Sequence, residues 1–135
     1  MKILLIEDNQ GDVQILDIIL SEILPEHKLT ILNSGHKAVD YIKSYMEDES
    51  PDIIIVDMKL PRYSGLNILK QIKTHPILAK SPVYIFTSTP DAQTESAALK
   101  YGADGFFIKP ILLDAYITAV KKMFRIYNPP EIQSL

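Results

Sequence analysis

The chain has 135 residues, of which 47% are hydrophobic and 23% charged, a balance typical of one folded domain and not of a disordered protein. A net charge of −3 disfavours a nucleic-acid surface, and the absence of cysteine excludes disulfides, thiol chemistry and cysteine-ligated zinc. The apolar opening, residues 1–6, is too short for a signal peptide, and no apolar run reaches the roughly 20 residues that span a bilayer. We therefore expect a cytoplasmic protein.

Short apolar runs alternate along the chain with segments of helical periodicity. Residues 2–6 (KILLI), 52–56 (DIIIV) and 83–86 (VYIF) are continuous runs rich in β-branched residues, as in strands covered on both faces. Residues 28–32 (KLTIL) and 104–108 (DGFFI) are weaker strand candidates. The sequence thus predicts five strands.

Five helices are predicted from apolar residues that recur at intervals of three and four. They span residues 12–24, 36–46, 64–73, 91–101 and 112–126. The fourth is polar and alanine-rich, and we predict Thr89 as its N-cap with Pro90 in its first turn. Because strand and helix alternate five times, right-handed crossovers require an α/β fold, a doubly wound parallel sheet with helices on both faces.

Polar residues terminate four of the five apolar runs. The first run ends at Glu7 and Asp8, the third at Asp57, the fourth at Thr87 and the fifth at Lys109. In a parallel sheet these ends lie at one edge, the carboxyl edge, where open α/β folds bind ligands. We therefore predict that the five side chains meet in one pocket.

Three carboxylates in one pocket repel one another, by roughly 3 kcal/mol per ionised pair at about 5 Å and an effective dielectric of about 20. Lys109 and a bound Mg²⁺ would compensate this charge, since magnesium near phosphate is usually held by one or two carboxylates and several waters. The combination resembles a phosphoryl-transfer site in which Asp57 is the nucleophile.

Each of these residues also has a plain structural interpretation. Asp8 or Asn9 could cap the following helix, with Asp12 favoured in its first turn. Lys109 alone is most often a solvated lysine, and Thr87 alone is more often a structural hydroxyl. Because the residues stand together at strand ends on one edge, we favour the functional interpretation.

Four segments together resemble the CheY-like receiver domain of two-component response regulators: LLIEDN, IIIVDMKLPRYSG, VYIFTST and YGADGFFIKP. The similarity extends over residues 2–124, and GDV after EDN with IKTHPILAKSPVYIFTS is most similar to small stand-alone regulators paired with phytochrome-type sensor kinases. The resemblance implies a flavodoxin-like five-stranded sheet of order 2-1-3-4-5 with five helices. It also implies a receiver domain over residues 1–127 and a C-terminal tail over residues 128–135.

The resemblance further implies a chemical role for each site residue. Asp57 would accept a phosphoryl group from a sensor histidine kinase or a histidine phosphotransfer protein. Asp8 and Asp57 would bind Mg²⁺ (or Mn²⁺) directly, Glu7 mainly through water, and Lys59 through its backbone carbonyl. Lys109 would pair with phosphoryl oxygens.

A second group of residues would respond to the phosphate. Thr87 would hydrogen-bond the phosphoryl group, and Phe106 would fill the space that Thr87 leaves, unless Phe106 is only a partly buried strand aromatic. The side chains expected to flank the phosphoryl group and tune its lifetime are Lys59, Ser88 and Thr89. Receivers of this kind also hold the bond between Lys109 and Pro110 in the cis form.

The predicted function is that of a single-domain response regulator in a phosphorelay, not an independent metabolic enzyme. Its fourth helix, fifth strand and fifth helix would signal to a downstream protein or to a second copy in a homodimer, with no nucleic acid or membrane as partner. The alternative is a receiver fold that serves as a phosphate-independent interaction module. A haloacid-dehalogenase-type phosphatase is disfavoured because it needs an aspartate where Lys59 stands, and a flavodoxin-like cofactor site would need a phosphate loop after the first strand.

Overall fold

A computed structural model describes residues 1–89 and 91–127, without the side chains of residues 125–127. Five parallel strands form one sheet: β1 (Lys2–Ile6), β2 (Lys28–Leu32), β3 (Ile53–Val56), β4 (Val83–Thr87) and β5 (Gly105–Ile108). Their order is β2-β1-β3-β4-β5, which confirms the predicted topology. The predicted tail, residues 128–135, and Pro90 lie outside the described residues.

Five helices connect and follow the strands. They are α1 (Gln10–Ile23), α2 (Gly35–Ser44), α3 (Gly65–Thr74), α4 (Ala92–Lys100) and α5 (Leu113–Tyr127). The sequence did not predict two smaller features, a 3₁₀ turn at Leu78–Lys80 and a hairpin that pairs Lys59–Leu60 with Tyr63–Ser64. That hairpin lies between β3 and α3, next to the carboxyl edge of the sheet.

The N-cap of α4 is Asp91, so the prediction of Thr89 at this position is wrong. Asp91 Oδ1 accepts hydrogen bonds from the backbone N–H groups of Gln93 (3.0 Å) and Thr94 (3.5 Å), and Asp91 Oδ2 accepts one from the Thr94 hydroxyl (2.7 Å). A carboxylate with three donors outcompetes a threonine hydroxyl as a cap, because it also interacts favourably with the helix dipole. The hydrogen bonds from the Thr94 hydroxyl and the two N–H groups lower the pKa of Asp91.

Two apolar layers cover the sheet, one on each face. Alternate residues of β1, β3 and β4 pack on one side against α2, α3 and α4 and on the other against α1 and α5. The three central strands are therefore buried on both faces, apart from Lys2 at the start of β1. This double coverage explains why they read as unbroken apolar runs.

Backbone hydrogen bonds continue the pairing of the strands past their ends and align the polar residues that follow. The N–H of Asp57 donates to the carbonyl of Ile6 (3.0 Å), and the N–H of Lys109 donates to the carbonyl of Thr87 (2.7 Å). Glu7 N–H likewise donates to the carbonyl that ends β2 (3.1 Å). The carboxyl edge is thus held by the sheet itself and not only by side-chain packing.

Candidate functional site

Three carboxylates meet where β1 and β3 end. Glu7, Asp8 and Asp57 each have a carboxylate oxygen within 4.8 Å of the others. Glu7 and Asp57 are buried, with relative exposures of 3% and 8%, whereas Asp8 is exposed. A cavity of about 260 Å³ is lined by Glu7 and Asp8, so this side of the cluster is reachable from solvent.

Lys109 directs its ammonium group into this cluster. Its Nζ donates hydrogen bonds to Glu7 Oε1 and to Asp12 Oδ2 (3.1 Å), and it lies 3.6 Å from Asp57 Oδ2. The lysine side chain is only 6% exposed, so these carboxylates replace most of its hydration. One cation thus faces three carboxylates, with Asp8 as a fourth close by.

Burial and charge shift the pKa values of this group in linked ways. Burial raises the pKa of Glu7 to about 7, and Asp57 contributes to the rise, while the hydrogen bond from Lys109 opposes it. Burial alone would lower the pKa of Lys109, but the hydrogen bond and charge of Glu7, with Asp57 and Asp12, outweigh it and raise that pKa. Lys109 is therefore an ammonium ion at neutral pH, and the site keeps a negative balance that favours one more cation.

The loop after β3 fixes the carboxylate of Asp57. The N–H of Lys59 donates to Asp57 Oδ1 (3.3 Å), and the side chain of Lys59 is exposed. The N–H of Gly65 donates to the carbonyl of Met58 (2.9 Å). A Cβ at Gly65 would lie 2.4 Å from the carbonyl oxygen of Asp57, so only glycine permits this close approach.

Thr87 ends β4 at the same edge and is buried. Its Oγ1 accepts a long hydrogen bond (3.4 Å) from the N–H of Thr89, which is half-buried, while Ser88 between them is exposed. Phe106 on β5 is half-buried, pairs with Ile85 and packs on the face covered by α2, α3 and α4. The roles suggested for these side chains stay predictions.

Asp12 is the site residue that sequence reasoning missed. The sequence suggested only a favourable charge in the first turn of α1, and Asp12 does lie there, after the N-cap Asn9, whose Oδ1 accepts from the Asp12 N–H (3.0 Å). Its carboxylate also contacts Lys109, 97 residues away. The available signal was position, since the first turn of a helix that follows β1 begins at the carboxyl edge.

Two aromatic residues, also missed, form an apolar wall beside Lys109. The Phe86 ring centroid lies 5.9 Å from Lys109 Nζ and 5.2 Å from the ring of Tyr116. Burial raises the pKa of Tyr116, and the charges of Asp12, Glu7 and Asp57 add to the rise. The wall offers the ammonium a cation–π contact with Phe86 but no charged acceptor, so the carboxylates are its charged partners.

The cis bond implied between Lys109 and Pro110 is wrong for this structure, because residues 1–89 and 91–127 contain no cis peptide bond. The trans form is the more stable isomer of an isolated X–Pro bond by about 0.5–1 kcal/mol. Lys109 reaches Glu7 in the trans form, so the cis isomer is not required to direct its ammonium into the pocket.

Comparisons with known proteins agree with this geometry. The family model of the response regulator receiver domain matches residues 3–121. The chain belongs to this family. It is 32% identical to the response regulator Rcp1 of Synechocystis sp. over 90 residues, which are 64% of this chain and 61% of that protein. It is 27% identical to the response regulator ArlR of Staphylococcus saprophyticus over 124 residues, which are 92% of this chain and 52% of that protein. The chain thus spans between half and two-thirds of these relatives.

Solved receiver structures share the fold. The phosphorylated cyanobacterial phytochrome response regulator RcpA superposes with a TM-score of 0.84 at 24% identity, covering 93% of this chain and 92% of that one. The Mn²⁺-bound form of Rcp1 superposes with a TM-score of 0.82 at 25% identity, covering 93% of each chain. The resemblance to the receiver family is confirmed, and the phytochrome response regulator RcpA shares the fold of this chain.

No helix among the described residues has the length and apolar character that crossing a bilayer requires.

Proposed function

We propose that this receiver domain accepts a phosphoryl group on Asp57 from the phosphohistidine of a sensor kinase or a histidine phosphotransfer protein. The observation that carries the proposal is the position of Asp57. Its buried carboxylate lies within 4.8 Å of those of Glu7 and Asp8, and its Oδ2 lies 3.6 Å from the ammonium of Lys109. A nucleophile between an acidic cluster and a fixed cation suits phosphoryl transfer, where positioning and charge neutralisation dominate.

The acidic cluster fits a divalent metal ion. Three carboxylates with one exposed member supply hard oxygen donors and a route for entry, and the site keeps negative charge after Lys109 is counted. Glu7, Asp8 and Asp57 would hold Mg²⁺ or Mn²⁺, with the backbone carbonyl of Lys59 as a further ligand. The Mn²⁺-bound form of Rcp1 supports a divalent cation in this family. When bound, the cation supplies charge neutralisation at the transferring phosphoryl group.

The side chains divide the remaining work. Asp57 Oδ1 is held by the N–H of Lys59, so one oxygen is oriented while the other faces Lys109. As a carboxylate oxygen of Asp57 bonds to phosphorus, the phosphorus–nitrogen bond of the donor histidine breaks. Lys109 then pairs with a phosphoryl oxygen and Thr87 donates a hydrogen bond to another. The neighbouring Lys59, Ser88 and Thr89 tune how long the phosphorylated state lasts.

The phosphorylated state would be read on the surface formed by α4, β5 and α5. The phosphoryl group carries about −1.5 to −2 charges and three oxygens in place of the single charge of the Asp57 carboxylate, which draws Thr87 toward the new oxygens and opens space for Phe106. Among its described side chains α4 buries only Ala98, so a shift of this helix breaks few apolar contacts. The downstream partner is then a protein or a second copy of the chain, since the net charge of −3 suits neither nucleic acid nor an anionic membrane. We place this signalling system in the cytoplasm.

Phosphorylation with acetyl phosphate and Mg²⁺, followed by intact mass, tests the proposal. The wild type should gain one phosphoryl group, and Asp57→Asn should gain none. Asp52→Asn is the matched control, because Asp52 precedes β3 at its opposite end, where its carboxylate accepts from the N–H of Lys2 (2.7 Å). An undiminished mass gain in Asp57→Asn would contradict the assigned acceptor, and no gain in the wild type would favour the phosphate-independent module.

A further inference from the structure

Lys109 has two hydrogen-bonded carboxylate partners that differ in what else they do. Glu7 belongs to the acidic cluster that would bind the divalent cation, with Asp8 and Asp57. Asp12 contacts Lys109 Nζ at 3.1 Å but is not a member of that cluster among the described residues. Lys109 is therefore shared between Glu7, a proposed metal ligand, and Asp12, which lies outside the proposed metal site.

Occupancy of the cluster would change this arrangement. The ammonium of Lys109 and a divalent cation both seek the carboxylate of Glu7, and two cations close to one carboxylate repel each other. When Glu7 turns to the metal, Lys109 loses its closest partner. The ammonium must nevertheless stay beside Asp57, because it pairs with the phosphoryl group in the proposed reaction.

Asp12 is placed to hold the ammonium of Lys109 when Glu7 binds the metal. Its backbone is fixed at the start of α1, where its N–H donates to the Asn9 cap at 3.0 Å. The first turn of a helix favours a negative charge, so a carboxylate at position 12 suits this place in α1. Phe86 and Tyr116 form the adjacent wall and offer the ammonium no charged acceptor. Without Asp12, the remaining carboxylate beside Lys109 is Asp57, whose Oδ2 lies 3.6 Å away and which would itself bind the metal, so we expect the ammonium to turn toward solvent.

We propose that Asp12 is a positioning residue that keeps the ammonium of Lys109 beside Asp57 once Glu7 has turned to the divalent cation. The inference rests on the proposed function, because it assumes that Glu7, Asp8 and Asp57 bind the metal. It assigns to Asp12 a role that neither its place in the helix nor the acidic cluster requires.

The ¹H–¹⁵N NMR signal of the Lys109 ammonium tests the role directly, since such signals are observable only when hydrogen bonds slow exchange with water. Lys109→Arg identifies the signal. The wild type should show it in EDTA and keep it in saturating Mg²⁺. Asp12→Asn should show it in EDTA, where Glu7 still binds the lysine, and lose it in Mg²⁺.

Asp114→Asn is the matched control, because Asp114 occupies the first turn of α5 as Asp12 occupies the first turn of α1, but Asp114 is exposed whereas Asp12 is half-buried against Lys109. It should keep the signal in both conditions. Loss of the signal in Mg²⁺ for the wild type or for Asp114→Asn, or its retention in Asp12→Asn, would overturn the proposal. Asp12→Ser replaces Asp12→Asn if that variant does not fold, with the same expected outcome.

The same spectra separate this inference from the proposed function. Mg²⁺ should shift the backbone amide signals of residues 7, 8 and 57 in the wild type and in Asp12→Asn. Absence of these shifts in the wild type would refute the metal site and the inference with it. Normal shifts with a retained ammonium signal in Asp12→Asn would refute only the positioning role.

Kinetics give a second readout. In Asp12→Asn at saturating Mg²⁺, the maximal rate of phosphorylation by acetyl phosphate should fall about tenfold with little change in KM, because a misplaced cation affects the transition state more than donor binding. A rise in KM at an unchanged maximal rate would instead indicate a role in donor binding and would contradict the proposal.

Discussion

The centre of the sheet and its β5 edge differ in how firmly their helices are attached. Helix α1, beside β1, buries Leu16, Ile19, Leu20 and Ile23, whereas α4, beside β5, buries only Ala98 among its described side chains. The strands follow the same trend, since β1 and β3 are almost wholly buried and β5 is half-buried to exposed. Glu7, Asp8 and Asp57 thus follow buried central strands, whereas Phe106 and α4, which are proposed to report the chemistry, lie at the β5 edge. Lys109 reaches the carboxylates from that edge.

This difference indicates a division of labour within one small domain. A transfer site needs its carboxylates and lysine held to within a fraction of an ångström, because misplacement lowers the rate steeply. A reporting surface needs two packings of similar free energy, because a phosphoryl group supplies only a few hydrogen bonds. Three experiments would break or sharpen the comparison.

The largest expected effect is on stability, from truncating one leucine in each of the two regions. Leu20→Ala in α1 should lower the free energy of unfolding by about 2–5 kcal/mol, since Leu20 is fully buried and leaves a cavity. Leu99→Ala in α4 should change it by less than about 0.5 kcal/mol, since Leu99 is 47% exposed. Urea denaturation measures both. Equal losses would mean that α4 is as firmly attached as α1.

An intermediate effect is expected at the loop that supports Asp57. Gly65→Ala should destabilise the protein by about 1–3 kcal/mol, because the added Cβ would meet the carbonyl of Asp57 at 2.4 Å and force the loop to move. Phosphorylation by acetyl phosphate should slow in the same variant. Gly11→Ala is the control, since its Cβ would meet only the Asn9 side chain at 3.2 Å. A normal phosphorylation rate in Gly65→Ala would show that the site tolerates movement of its support.

The smallest expected effect is a pH dependence from Glu7. Burial raises its pKa from 4.5 to about 7 in the folded chain, so between these values the unfolded chain has released a proton that the folded chain still holds. Stability should therefore fall as pH rises through this window, by about 1–2 kcal/mol after allowance for solvent screening. Thermal unfolding in EDTA from pH 4.5 to 7.5 measures the fall, and Glu7→Gln should reduce it. An identical profile in Glu7→Gln would assign the titration to another group.

Much of the fold could be read from the sequence because the central strands are covered on both faces. The runs KILLI, DIIIV and VYIF lack the polar positions that a surface helix would need, so they were predicted as strands. The weaker strand β2 was also predicted correctly, at residues 28–32, where the structure has Lys28–Leu32. The start of α4 was misplaced because Thr89 and Asp91 are both good caps, and only the structure shows which one reaches the free N–H groups.

Those site residues that sheet topology brings together could be predicted from the sequence. The contacts that depend on the length and direction of a side chain could not. A parallel sheet brings Glu7, Asp8 and Asp57 to one edge, whatever the details of packing. The contact of Asp12 with Lys109 depends on how far a lysine side chain extends across that edge. Asp12 already had a sufficient local explanation in the first turn of α1, so no contact with Lys109 was predicted for it.

The backbone N–H of Lys109 donates to the carbonyl of Thr87 at 2.7 Å, which joins the two residues whose side chains are proposed to bind the phosphoryl group. A displacement of Thr87 would therefore move Lys109, and the reverse, through the main chain and without a change of side-chain rotamer. Phosphorylation would then be transmitted from the site as a concerted movement of the ends of β4 and β5. Phe106 on β5 would follow and enlarge that movement and would not initiate it.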